Sequence, residues 1–268
     1  MKVFVIDLAR CNGCYACQVA CKDEHAGNDW PPYAMTQPDT GQFWLKIIES
    51  VRGTVPKVRV SYQPVLCAHC DDAPCRAACP AKGAVYQRED GLIIIDPEKC
   101  TGCRNCLEVC PYHAIYFNEN LNIAQKCTGC AHLIDRGWAV PRCADACPTE
   151  CIRFSEESEL KSLMKKGKDI HPEVKSKPRL RYRNVPGRFI AGTVYNATDK
   201  EVIAGADCTL TGADGQKYSN VSDAFGDFWF EDLSEGEYTL EIKKGRRTTT
   251  IPHIYASQDI NLGDLPIT

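Results

Sequence analysis

Apolar positions in the first 155 residues come in short bursts, never in long stretches. Val3-Phe4-Val5-Ile6, Ala84-Val85-Tyr86, Leu92-Ile93-Ile94-Ile95, Ala114-Ile115-Tyr116 and Cys151-Ile152-Arg153-Phe154 are each the length of a short strand. Turn signals such as Glu89-Asp90-Gly91 separate them. Ser155-Glu156-Glu157 then starts a helix, with acids at its positive dipole end and Lys165-Lys166-Gly167 at its stop. From about residue 187 the pattern is all β, with segments at Phe189 to Tyr195, Ala206 to Leu210, Phe228 to Phe230, Tyr238 to Ile242, Thr248 to Ile254 and Asp259 to Leu262. Spacing of this kind predicts a small antiparallel β-sandwich or barrel of about seven strands.

The chain of 268 residues is long enough for two domains, and its formal charge of −3 gives no reason to expect nucleic acid or an anionic membrane. Eighteen cysteines change the picture. They fit either a secreted disulfide scaffold or metal ligation in a reducing compartment. Met1 to Ile6 runs straight into a strand with no signal-peptide pattern, and no apolar run is long enough to span a bilayer. The expectation is therefore a cytoplasmic protein with no membrane anchor, although a leader on a partner could still carry it across a membrane.

Sixteen of the cysteines fall into four runs. These are Cys11, Cys14, Cys17 and Cys21; Cys67, Cys70, Cys75 and Cys79; Cys100, Cys103, Cys106 and Cys110; and Cys127, Cys130, Cys143 and Cys147. The first and third have spacings of two, two and three residues, the pattern that wraps a [4Fe–4S] cube. The second is widened at Asp71 to Pro74, and the fourth carries an insertion, His132 to Pro141, expected to be helical. Short β segments follow the last three runs in register, so one strand, one ligand loop and one short helix form a repeating unit. Two units make a ferredoxin-like βαββαβ module, and four runs make two modules. The fold class expected is α+β: a four-cluster ferredoxin-like domain at 1–155, a helix and basic connector at 156–186, and a transthyretin-like or immunoglobulin-like β-domain at 187–268.

In two-cluster ferredoxins the fourth cysteine of a run ligates the other cluster. That rule assigns one cube to Cys11, Cys14, Cys17 and Cys147. A second goes to Cys127, Cys130, Cys143 and Cys21, a third to Cys67, Cys70, Cys75 and Cys110, and a fourth to Cys100, Cys103, Cys106 and Cys79. Zinc prefers two well-separated ligand pairs and suits these runs poorly. Cys151 and Cys208 read as small buried residues outside the clusters. His69 and His132 read as surface residues or donors to sulfur, and Asp23-Glu24-His25 offers no nucleophile to pair with. The long insertion at 22–64 is open between a lid over a cluster and a surface for a partner. The basic run from Lys175 to Arg183 reads as a solvated connector. A chain of clusters with no substrate motif is expected to move electrons one at a time.

The order and spacing of the four runs resemble the electron-transfer subunits of molybdopterin oxidoreductases of the dimethyl-sulfoxide-reductase family. The resemblance implies a large catalytic partner carrying molybdenum or tungsten on a bis-molybdopterin guanine dinucleotide, with the first run's cube nearest to it. Within that family, Asp23-Glu24-His25 with Trp30-Pro31, Arg52-Gly53-Thr54, Tyr86 to Gly91, Ala124 to Cys127 and the trailing β-domain are similar to members acting on hydroxylated aromatics. Subunits of the transhydroxylase type have a degenerate third run, whereas all four thiols at 100–110 are present here. A hydroxylase or dehydroxylase is equally compatible. The alternatives are a subunit of another anaerobic reductase, for arsenate, polysulfide or a sulfoxide, and a free-standing polyferredoxin.

Overall fold

The computed structural model describes all of residues 1–268. The chain divides into two units: residues 1–49 with 61–185, and residues 50–60 with 186–268.

The first unit is built from one motif used four times. A strand leads into each cysteine run: β1 (Lys2–Asp7), β3 (Lys57–Leu66), β5 (Ile93–Ile95) and β7 (Ile123–Lys126). A helix closes each run: α1 (Ala16–His25), α2 (Pro74–Ala77), α3 (Asn105–Glu108) and α5 (Arg142–Asp145). A strand leads out: β2 (Leu45–Thr54), β4 (Val85–Gln87), β6 (Ile115–Asn118) and β8 (Ile152–Glu156). Each exit strand pairs with the next entry strand, β2 with β3, β4 with β5 and β6 with β7. The last exit strand, β8, returns to pair antiparallel with β1, so the cycle closes. The paired strands bury Phe4, Ile6, Leu92 to Ile95, Ile115 and Ile152 in one core that also holds ligand-run thiols.

Three expectations need correction here. The insertion at 22–64 is not a structureless loop. It continues α1 to His25 and then forms most of the β2–β3 hairpin, whose tip belongs to the second unit. The region between Cys130 and Pro141 has only a four-residue helix, α4 (Ala131–Ile134), before it turns. The basic run is not a free connector. After α6 (Glu157–Lys166), β9 (Leu180–Arg183) joins the sheet parallel to β1, with Leu180 and Tyr182 buried. Alternating arginines had masked a period of two.

The second unit has seven strands after the hairpin tip: β10 (Arg188–Asn196), β11 (Asp207–Gly212), β12 (Lys217–Val221), β13 (Asp227–Leu233), β14 (Glu237–Lys244), β15 (Arg247–Tyr255) and β16 (Ile260–Ile267). They form two sheets, in orders β13-β10-β16 and β12-β11-β14-β15. Alternating residues of both, such as Ile190, Phe228, Leu210 and Ile242, share one core. The unit is mixed and not purely antiparallel, because β10 and β16 run parallel. Cys208 is buried in that core as a small apolar residue.

Candidate cluster-binding site

The site begins with the backbone. Two residues after the first cysteine of every run the chain takes a positive φ: Gly13 at 69°, His69 at 45°, Gly102 at 71° and Gly129 at 64°. L side chains avoid this region, so glycine is favoured there. Space enforces the same choice. A Cβ on Gly13 would meet the Tyr62 ring at 2.6 Å, one on Gly102 the Asn122 carbonyl oxygen at 2.6 Å, and one on Gly129 the Leu92 side chain at 2.8 Å. In the second and fourth runs the left-handed residue turns its own N–H toward sulfur, and N–H groups from β7 and from just before β8 supply two more. His69 N–H donates to Cys67 Sγ at 3.4 Å, Gly129 N–H to Cys127 Sγ at 3.3 Å, and Ala124 and Cys151 N–H to Cys100 and Cys147 Sγ at 3.4 and 3.2 Å.

These loops gather the thiols into four groups. Cys11, Cys14, Cys17 and Cys147 line one small cavity. Cys67, Cys70, Cys75 and Cys110 line a second. Cys79, Cys100, Cys103 and Cys106 line a third. Cys21, Cys127, Cys130 and Cys143 are buried together, and each of the other three raises the cost of ionising Cys143. The helices explain how runs mix. Cys17 and Cys21 lie four residues apart on one face of α1, about 6 Å along the axis, and Cys106 in α3 is followed four residues later by Cys110 just past the helix end. One of each pair joins one group and the other joins the next. We number the groups 1 (Cys11, Cys14, Cys17, Cys147), 2 (Cys21, Cys127, Cys130, Cys143), 3 (Cys67, Cys70, Cys75, Cys110) and 4 (Cys79, Cys100, Cys103, Cys106).

Neighbouring thiols link one group to the next. Cys17 acts on Cys21 and Cys143, linking groups 1 and 2. Cys67 acts on Cys127, linking 3 and 2, and Cys75 acts on Cys106, linking 3 and 4. All thiols of the inner groups 2 and 3 are buried. Each outer group has one exposed thiol, Cys14 or Cys103.

The donor chemistry tests what these groups hold. Burial, followed by repulsion from neighbouring thiols, pushes Cys17 and Cys106 up to about 12. Burial also pushes Cys70 and Cys130 up to about 12, and Cys75 and Cys127 to about 11. For Cys147 burial acts upward, but the Thr149 hydroxyl and nearby N–H groups outweigh it and hold the thiol below its ordinary value. Four thiolates packed together in low dielectric are tolerable only around a cationic core that displaces their protons. In groups 1, 3 and 4 the thiols ring cavities, and no three Cys, His, Asp or Glu side chains converge closely enough to share one ion. Four thiolates around a cavity with N–H groups on sulfur fit an iron–sulfur cube better than a tetrahedral zinc.

Some residues sit where the sequence did not place them. His69 is buried, stacks on Phe4 and accepts the Ile93 N–H through Nδ1 at 3.0 Å. His132 is buried against Trp30, with Nε2 at 2.9 Å from Glu24, which also pairs with Arg142 at 3.2 Å. Glu24 and His25 are thus part of the packing beside group 2, while Asp23 is exposed. Cys151 lines the group 1 cavity, which only the repeat register could have hinted at.

Fold and site define an iron–sulfur electron-transfer protein of the ferredoxin class. Residues 58–157 match the 4Fe-4S dicluster domain, and residues 190–263 match the carboxypeptidase regulatory-like domain. The chain is 38% identical to the pyrogallol hydroxytransferase small subunit of Pelobacter acidigallici, over 97% of this chain and 96% of that one. It is 32% identical to the arsenate respiratory reductase iron–sulfur subunit of Shewanella sp. (strain ANA-3), over 66% and 94%. It is 34% identical to a polypeptide of the anaerobic dimethyl sulfoxide reductase of Escherichia coli (strain K12), over 59% and 75%. The chain belongs to the family of iron–sulfur electron-transfer subunits of molybdopterin oxidoreductases of the dimethyl-sulfoxide-reductase type. No helix is long and apolar enough to cross a membrane.

Proposed function

We propose that this chain holds four [4Fe–4S] clusters in groups 1 to 4 and relays electrons for a catalytic partner carrying molybdenum or tungsten on a bis-pterin cofactor. The two domains read from the sequence, ferredoxin-like modules followed by a β-sandwich, are the scaffold for that task. One observation supports the reading: four thiol quartets are linked by neighbouring thiols as 1 to 2, 2 to 3 and 3 to 4, with an exposed thiol only in groups 1 and 4. The clusters, when bound, supply one-electron reduction and reoxidation. The protein holds each quartet, keeps water from the inner two, and donates N–H groups to sulfur, which sets potentials.

The group 1 end, with exposed Cys14 and Tyr15, is where the partner would dock. The likeness to the pyrogallol hydroxytransferase subunit over nearly the whole chain, β-domain included, favours a partner acting on hydroxylated aromatics. The exposed Cys103 of group 4 favours net electron exchange with an outside donor, so a hydroxylase or dehydroxylase fits alongside a transhydroxylase. Native purification without air tests this. The expected result is co-elution with a much larger chain containing molybdenum or tungsten. Elution of the iron protein alone from its native source would favour a free polyferredoxin.

A further inference from the structure

The segment from Asp169 to Arg179 straps the loop that carries Cys70. Asp71 N–H donates to the Lys177 carbonyl at 3.0 Å, Asp72 N–H to the Ser176 carbonyl at 3.1 Å, and Arg179 N–H to the Ala68 carbonyl at 2.8 Å. The Arg179 fork grips both oxygens of Asp71 at 2.7 and 3.0 Å, and Lys177 pairs with Asp72 at 2.8 Å. These bonds lie on both sides of Cys70 and fix the strap against it.

Ser176 is the member of the strap that faces inward. It is 1% exposed, and its Oγ is buried with no hydrogen-bond partner. Leaving a buried hydroxyl without a partner is costly, so such a group normally has an unseen partner. Two polar neighbours lie beside it: the Cys70 thiol and the Tyr112 hydroxyl, both lining the group 3 cavity. Tyr112 already donates its hydrogen to Asp169 Oδ1 at 3.2 Å. A serine hydroxyl rotates freely to suit an acceptor, and a ligating thiolate is the more negative of the two on offer.

We propose that Ser176 is a positioning residue that donates its hydroxyl hydrogen to the Cys70 sulfur and so raises the reduction potential of the cluster in group 3. The proposal rests on the reading that Cys67, Cys70, Cys75 and Cys110 hold a cluster. A hydrogen bond to sulfur stabilises the more negative, reduced state, which sets the sign.

The test is a redox titration, followed by electron paramagnetic resonance, of the whole protein purified without air. Iron content is measured first, so that absence of clusters from the wild type, which would sink the cluster reading itself, is told apart from absence of a shift. In Ser176→Ala, iron content is expected to hold, one midpoint potential to move to a more negative value, and the other three to stay. Unchanged midpoints in a fully loaded variant, or an equal shift of all four, would overturn the proposal. Where Ser176→Ala loses iron, the isosteric pair Ser176→Thr and Ser176→Val carries the test. Thr is expected to keep the wild-type potential and Val to lower it, and equal potentials would overturn the assignment. Tyr112→Phe gives a further check: a shift as large as that of Ser176→Ala would assign the hydroxyl to Tyr112 instead.

Discussion

Single residues carry the site through backbone shape. The glycine two positions after the first thiol was legible in three of the four runs because left-handed backbone selects for it. His69, at the same position in the second run, was not, since its burial depends on Phe4 and Ile93, which are distant in sequence. Gly129→Ala would place a Cβ 2.8 Å from Leu92 at a φ of 64°. Left-handed strain alone costs about 1–2 kcal/mol. A lower melting temperature and weaker iron retention in group 2 are expected, measured by thermal unfolding and iron content. His25 supplies a pH dependence. Burial, then the nearby His132, lowers it from 6.5 to about 3, so it is neutral when folded. The unfolded chain binds its proton first as pH falls below 6.5. Stability from this group is therefore complete above that pH and drains away down to about pH 3. Between pH 7 and 5 the loss is about 2 kcal/mol. Denaturant unfolding should show a shallower slope in His25→Gln than in the wild type, the remainder coming from His69 and His132, which burial also lowers.

Elements explain why a run is not a site. Each ligand helix carries one thiol, with a second four residues on, inside α1 or just past the end of α2, α3 and α5, and so the segment serves two neighbouring groups. Cys110 follows Cys106 on the turn that ends α3, yet it faces Cys67, Cys70 and Cys75. Substituting Cys110 by Ala should bleach or convert the cluster of group 3 and leave that of group 4 intact, as read by paramagnetic resonance. Loss confined to group 4 would contradict the assignment. The strand–run–helix–strand order was readable because short apolar bursts and fixed thiol spacings repeat together. The β2–β3 hairpin was hidden by exposed valines and polar residues along its outer half, where the burial alternation is weak. β9 was hidden because arginines at 179, 181 and 183 read as a solvated run. In fact Arg179 is buried against Asp71 and Glu157, and the apolar residues between the arginines fill the sheet.

At the scale of the whole molecule, the cluster chemistry is confined to the first unit. The second unit is a β-fold whose one cysteine, Cys208, sits in its own core. Its strand count could be seen in the alternation of apolar residues. The parallel pairing of β10 with β16 could not, since it joins the first and last strands and leaves no local signal. The linkage of one thiol group to the next was likewise beyond the sequence, because it depends on which helices face each other: α1 packs on α5 and α2 on α3. Four linked groups, buried in 2 and 3 and open in 1 and 4, are what a relay needs. The most direct measurement is the iron and acid-labile sulfide content of the protein purified without air. About sixteen of each per chain is expected for four cubes. A colourless protein free of iron and sulfide, or one holding only zinc, would contradict the account.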